Sequence, residues 1–205
     1  MVKSDLLLFD LDGTLVDTAD DIADSLLAVL AEFDRPPLPR DQIVASIGHG
    51  VRRLIEQATA PPHDEILRRF LKHYDGNCLH RTRLYPEVPE TLGQLQHRKV
   101  VLTNKPAAMS VKILRELGIS RFFEKIYGGD SLPVRKPDPE VIRLVTTELG
   151  ASTPILIGDS GVDVVTARNA GIPVIAVTYG YCKPGDLDGA DARIDRFESL
   201  LQILR

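Results

Sequence analysis

Tryptophan is absent, aromatic residues make up only 5% of the chain, and cysteine occurs twice, at Cys78 and Cys182. Two distant thiols without metal-ligand spacing exclude a disulfide framework and a thiolate metal site, and they fit a reducing compartment. Long hydrophobic runs are also missing. Leu6–Phe9, Pro154–Ile157 and Pro173–Val177 fall far short of the roughly 20 residues a membrane-spanning helix needs. There is no basic excess, because 25 Lys and Arg face 29 Asp and Glu for a formal net charge of -4. No field of that kind draws in nucleic acid. Met1-Val2-Lys3-Ser4 runs straight into a strand pattern, which leaves no room for a signal peptide. The expectation is a soluble cytoplasmic protein, monomer or homodimer, with neither membrane nor nucleic acid as partner.

The 205 residues are 43% hydrophobic and 26% charged, average globular usage with enough chain for a real core. An apolar run from Ser4 to Phe9 reads as a strand ending in Asp10-Leu11-Asp12-Gly13-Thr14. From Asp17 to His80 the periodicity is helical. Ile22, Leu26, Leu27, Val29 and Leu30 share a face behind the acidic start Asp17, Asp20, Asp21, as a helix N-terminus favours. Prolines 36, 37 and 39 break that helix. Further helices are expected at 40–47, 51–59 and 64–79, and no strand pattern occurs in this block. After Pro86 helices alternate with short apolar strands at 99–103, 125–127, 155–157, 174–177 and 192–194. That alternation predicts an α/β fold with a doubly wound parallel sheet. Residues 1–16 and 86–205 form the core in this reading, and residues 17–85 an inserted all-helical cap.

In open parallel sheets ligands bind beyond the carboxyl ends of the strands. Asp10 and Asp12 end the first strand, Thr103-Asn104-Lys105 another, and Gly158-Asp159-Ser160 a third, with Asp163 just beyond. Lys136 precedes a proline-opened helix. Asp10 and Asp12, two apart, can face one crevice, and Asp159 brings a third carboxylate close. Such a cluster resists joint ionisation unless a cation holds it. All-oxygen ligation suits Mg²⁺ shared with a substrate phosphate. Lys136, the Thr103 hydroxyl and the Asn104 amide would supply further positive charge and hydrogen bonds to a phosphoryl group.

Each piece also has a plainer reading. Asp-x-Asp-Gly is a common turn, the Thr103 and Gly158 segments can be helix caps, and Lys136-Pro137 a surface turn. A calcium loop fails, because Leu8 and Ala19 would stand where its first and twelfth carboxylates belong. The joint occurrence at strand ends favours chemistry.

Asp10-Leu11-Asp12-Gly13-Thr14-Leu15-Val16-Asp17-Thr18 resembles the first motif of the haloacid dehalogenase superfamily of phosphohydrolases. Leu102-Thr103-Asn104-Lys105 resembles its second, Lys136-Pro137 its third, and Gly158-Asp159-Ser160-Gly161-Val162-Asp163 its fourth. The resemblance spans the whole chain. It implies Asp10 as nucleophile forming an aspartyl-phosphate and Asp12 as general acid, then base. Thr103, Asn104 and Lys136 would hold the phosphoryl group. Mg²⁺ would bind Asp10, the Asp12 carbonyl and Asp159, with Asp163 supporting. Dehalogenases that share the motif lack the second aspartate, so Asp12 points to phosphoryl chemistry. Phosphonate-cleaving relatives need a cap lysine, and the block offers only Lys72, in its last helix.

Thr103-Asn104-Lys105-Pro106, the turn at Gly48-His49-Gly50 and Leu84-Tyr85-Pro86 look most like phosphoglycolate phosphatases. Glu87 departs from the glycine usual there. The implied substrate is a small phosphorylated metabolite, with His49 and Arg52 as cap contacts and an arginine, Arg52 or its neighbour Arg53, holding its carboxylate. A pyrophosphatase, sugar-phosphate phosphatase or phosphosugar mutase on the same scaffold is the alternative. A phospho-accepting signalling module is the alternative of another class. Lys105 is left between solvent and cap, and Tyr179-Gly180-Tyr181 reads as a loop packed over the rim.

Overall fold

The computed structural model describes residues 3–183 and 185–204. Six strands form one parallel sheet: β1 (Leu6–Phe9), β4 (Arg98–Leu102), β5 (Lys125–Tyr127), β6 (Pro154–Gly158), β7 (Val174–Val177) and β8 (Ala192–Ile194). Their spatial order is β5-β4-β1-β6-β7-β8. β1 pairs in parallel with both β4 and β6, Phe9 lying beside Val101 on one side and Ile157 on the other. From β1 the chain winds outward through β4 and β5, then returns to build β6 to β8 on the opposite side. The reversal falls between β1 and β6. A crevice opens at such a switch point, beyond the carboxyl ends of the strands.

β1 is buried at every residue. Leu7 and Phe9 join one apolar cluster and Leu6 and Leu8 another, as alternation in a strand covered on both faces requires. Burial of such side chains contributes about 1.5–3 kcal/mol each. Helices α5 (Val88–Gln94), α6 (Ala107–Glu116), α7 (Glu140–Leu149), α8 (Gly161–Ala170) and α9 (Leu200–Ile203) follow the strands as crossovers and close the chain.

Between β1 and α5 lie four further helices, α1 (Ala19–Glu32), α2 (Arg40–Val44), α3 (Val51–Ala58) and α4 (His63–Asn77). α1 buries Ile22, Leu26, Val29 and Leu30. α4 buries Ile66, Phe70 and Tyr74 at a spacing of four, so one apolar stripe meets another. The stripes belong to the same cluster as Leu7 and Phe9.

The sequence pattern misses two strands. β2 (Val16–Asp17) and β3 (Arg83–Leu84) pair antiparallel on either side of the four helices, Val16 opposite Leu84. Two residues are too few to show a period of two, and Asp17 consequently reads as helix. A 3₁₀ turn at Phe197–Ser199 precedes α9. Another 3₁₀ turn, at Ser120–Phe122, gives no signal in the sequence.

Candidate active site

Asp10 follows β1 directly, and Asp159 follows β6, so the two carboxylates flank the switch point. Both are buried, at 3% and 1% exposure. Oxygens of Asp10, Asp159 and Asp163 lie within 4.8 Å of one another. Lys136 Nζ sits 3.0 Å from Asp10 Oδ1 and 2.6 Å from Asp163 Oδ1. The pair is not aligned as a hydrogen bond, so that buried oxygen has a charge neighbour but no hydrogen-bond donor among the described residues. Burial pushes the Asp10 carboxyl up to about 6 despite the opposing pull of Lys136. Burial, then the charges of Asp10 and Asp163, raise Asp159 well above the usual carboxylate range. Burial works against the Lys136 ammonium, yet Asp10 and Asp163 hold its pKa above the ordinary lysine value.

The three carboxylates, if ionised, carry three negative charges against the one positive charge of Lys136. The remaining two equal the charge of one divalent cation. The donors are oxygens, as a hard cation requires. Asp163 differs from the other two. Its oxygens take Lys136 Nζ, the Ser160 hydroxyl (2.6 Å) and the Ser160 N–H (3.2 Å). It caps α8 reciprocally with Ser160 and orients Lys136. Asp159 keeps room for an ion: Oδ1 accepts from Thr14 Oγ1 (3.0 Å) and Oδ2 from the Tyr181 N–H (2.7 Å), one bond each of the two or so a carboxylate oxygen accepts. The residues present therefore fit a divalent cation held by Asp10 and Asp159.

Backbone presses closely on Asp159. A Cβ on Gly13, whose φ is +86°, would lie 2.1 Å from Asp159 Oδ2, and one on Gly180 2.4 Å away. Only glycine fits either place. Sequence reading assigned Tyr179-Gly180-Tyr181 to packing. The segment instead holds Asp159, and the Tyr181 hydroxyl accepts from the Thr18 and Ala19 N–H groups at the start of α1. No periodic or motif signal marks it.

Asp12 accepts from the Thr18 hydroxyl at 2.7 Å. Lys105 Nζ lies 3.0 Å and 3.2 Å from its two oxygens. Lys105 is therefore buried against Asp12 rather than turned to solvent, its side chain 4% exposed. Thr103 is buried at the end of β4, and its hydroxyl oxygen accepts from the Lys105 N–H. Asn104 departs from its expected part. Its amide donates to Gly48 O (2.8 Å) and Lys136 O (2.9 Å), so both side-chain protons tie backbone segments together. The Asn104 side chain builds the rim and has no proton left for a phosphoryl group.

The two cap contacts expected from the sequence fall outside the crevice. Arg52 is half exposed and paired with Asp64 at 2.9 Å. His49 lines an outer groove with Gln57, Tyr181 and Lys183. The reason is local: Gly48 and Gly50 face the cavity, and the intervening His49 points away.

Residues 7–177 match the model of the haloacid dehalogenase-like hydrolases. The chain belongs to this family. A phosphoglycolate phosphatase of Cupriavidus necator is 39% identical over 97% of this chain and 92% of its own. One of Caulobacter vibrioides is 37% identical over 93% and 86%. A crystal structure from Haemophilus somnus, described as a predicted phosphoglycolate phosphatase, superimposes with a TM-score of 0.90 at 32% identity, covering 97% of each chain. The parallel sheet carries its acidic cluster beyond the strand ends. Among the described residues no helix is long and apolar enough to cross a membrane.

Proposed function

We propose that the protein is a Mg²⁺-dependent phosphomonoester hydrolase that works through an aspartyl-phosphate on Asp10 and acts on 2-phosphoglycolate. The observation that carries this reading is the buried Asp10 carboxylate, whose Oδ1 meets no hydrogen-bond donor among the described residues, with Lys136 Nζ 3.0 Å away and Asp159 beside it. The relatives named phosphoglycolate phosphatase support the substrate. Mg²⁺ at Asp10, Asp159 and the Asp12 carbonyl would supply charge neutralisation for the incoming phosphate.

Asp10 attacks phosphorus, and the bond from phosphorus to the alcohol oxygen breaks. Asp12 gives its proton to that oxygen. It then takes a proton from water, which attacks phosphorus and frees the Asp10 carboxylate. Splitting one displacement into two lowers each barrier. Lys136 and the Thr103 hydroxyl stabilise the transferring group. Residues 17–85 act as a cap over a core of 1–16 and 86–205, excluding water from the closed site. The free thiols of Cys78 and Cys182 suit a cytoplasmic setting.

Asp10→Asn tests the reading. It is expected to abolish release of phosphate from 2-phosphoglycolate with Mg²⁺ while circular dichroism stays native. Loss of the fold would make Asp10 structural. With a labelled sugar phosphate as substrate, an isomerised sugar phosphate in place of free phosphate would assign a mutase.

A further inference from the structure

A cavity of about 50 Å³ lies between the four-helix block and the strand ends, room for only a few non-hydrogen atoms. Asp10, Asp12 and Thr103 line its floor. Its roof is apolar, with Ile22, Ile47, Val51, Leu54, Phe70 and Met109. Among the described lining residues, Lys105 is the one cation. Its ammonium is held by Asp12 and by the Tyr74 hydroxyl at 2.8 Å, and it stands 4.6 Å over the Tyr74 ring. Its three acceptors are the two Asp12 oxygens and the Tyr74 hydroxyl. The Tyr74 hydroxyl accepts from Lys105, and its own hydrogen meets no acceptor among the described residues. Both residues line the cavity. The site thus sets one free donor, the Tyr74 hydroxyl, beside its one cation, under an apolar roof. A carboxylate takes the free Tyr74 hydrogen and meets the charge of the neighbouring ammonium, whereas a neutral alcohol offers that charge nothing.

Resting on the proposed phosphatase reading, we infer that Lys105, aided by the Tyr74 hydroxyl, is the specificity residue that binds a carboxylate on the leaving alcohol. The substrates selected are short phosphomonoesters of hydroxy acids. Lys105 comes from the loop after β4 and Tyr74 from α4, so the contact forms only where helical block and sheet meet.

The test compares 2-phosphoglycolate with 2-hydroxyethyl phosphate, which replaces the carboxylate by a neutral hydroxymethyl group. The wild-type ratio of kcat/KM values is expected to exceed ten. In Lys105→Met that ratio falls towards one, mainly through KM for the acid. Tyr74→Phe lowers it several-fold. Equal losses on both esters, with the ratio intact, would overturn the inference and leave Lys105 as a positioning residue for Asp12. A wild-type ratio near one would overturn it as well, without any variant and with the phosphatase reading intact. Absence of turnover on every phosphomonoester tried would instead remove the phosphatase reading, and the inference with it.

Discussion

At the scale of single residues, the strongest constraint is that four charged groups share a buried site. Lys136 faces Asp10 and Asp163 at 3.0 and 2.6 Å, so its removal strands two buried carboxylates. Lys136→Ala is expected to cost about 3–5 kcal/mol of folding stability, read by urea unfolding. Lost charge stabilisation at phosphorus is expected to lower kcat about 10²- to 10³-fold. Wild-type kinetics in that variant would take Lys136 out of the site. Asp10, Asp12, Lys136 and Asp159 were legible in the sequence because each sits in a compact motif at a strand end. Asn104 was legible as a residue but not as a role, since nothing local says that its amide meets Gly48 and Lys136. Tyr74 was hidden for a different reason: with Ile66 and Phe70 it completes a stripe at helical spacing, which reads as core. Gly180 and Tyr181 meet Asp159 only through the folded chain, more than twenty residues away.

Among the elements, the passage from β3 to α5 carries a backbone feature that composition does not reveal. Glu87 caps α5 with φ at +67°, the left-handed region where glycine is at ease and side chains are not. The departure from glycine at this position thus has a conformational consequence, and Glu87 forms an exposed ion pair with Arg196. Such a pair contributes about 0–1 kcal/mol, comparable to the backbone penalty. Glu87→Gly is therefore expected to change stability by less than about 1 kcal/mol, because relief and loss offset. Glu87→Val keeps the strain, adds branching and loses the pair, and should cost about 1–3 kcal/mol. Equal denaturation midpoints for the two variants would argue against left-handed strain. The strands of the sheet were legible because apolar runs bounded by turns recur after Pro86. β2 and β3 were not, being two residues each.

For the whole molecule, the acidic cluster couples folding to pH and to metal. In the absence of a cation, burial lifts Asp10 to about 6 and Asp159 upward from a normal value near 3.8. The folded state therefore keeps these protons to higher pH than the unfolded chain does. Their contribution to stability is full below the ordinary carboxylate range and is lost as pH rises through about 6 for Asp10. Asp10→Asn is uncharged at every pH. Its stability relative to wild type, both in a chelator, should improve between pH 4.5 and 7.5. Excess Mg²⁺ at pH 7.5 should stabilise wild type and reverse that advantage, by the mass action of a ligand that binds only the native state. A pH-independent difference would mean that Asp10 titrates normally.

The paired strands β2 and β3 place the entry and exit of the helical block side by side, Asp17 opposite Arg83. Neighbouring antiparallel strands stand only about 5 Å apart. Asp10, Lys136 and Asp159 all lie outside the segment this ribbon encloses. The ribbon is in effect a neck: both ends of the helical block join the sheet through one two-stranded attachment.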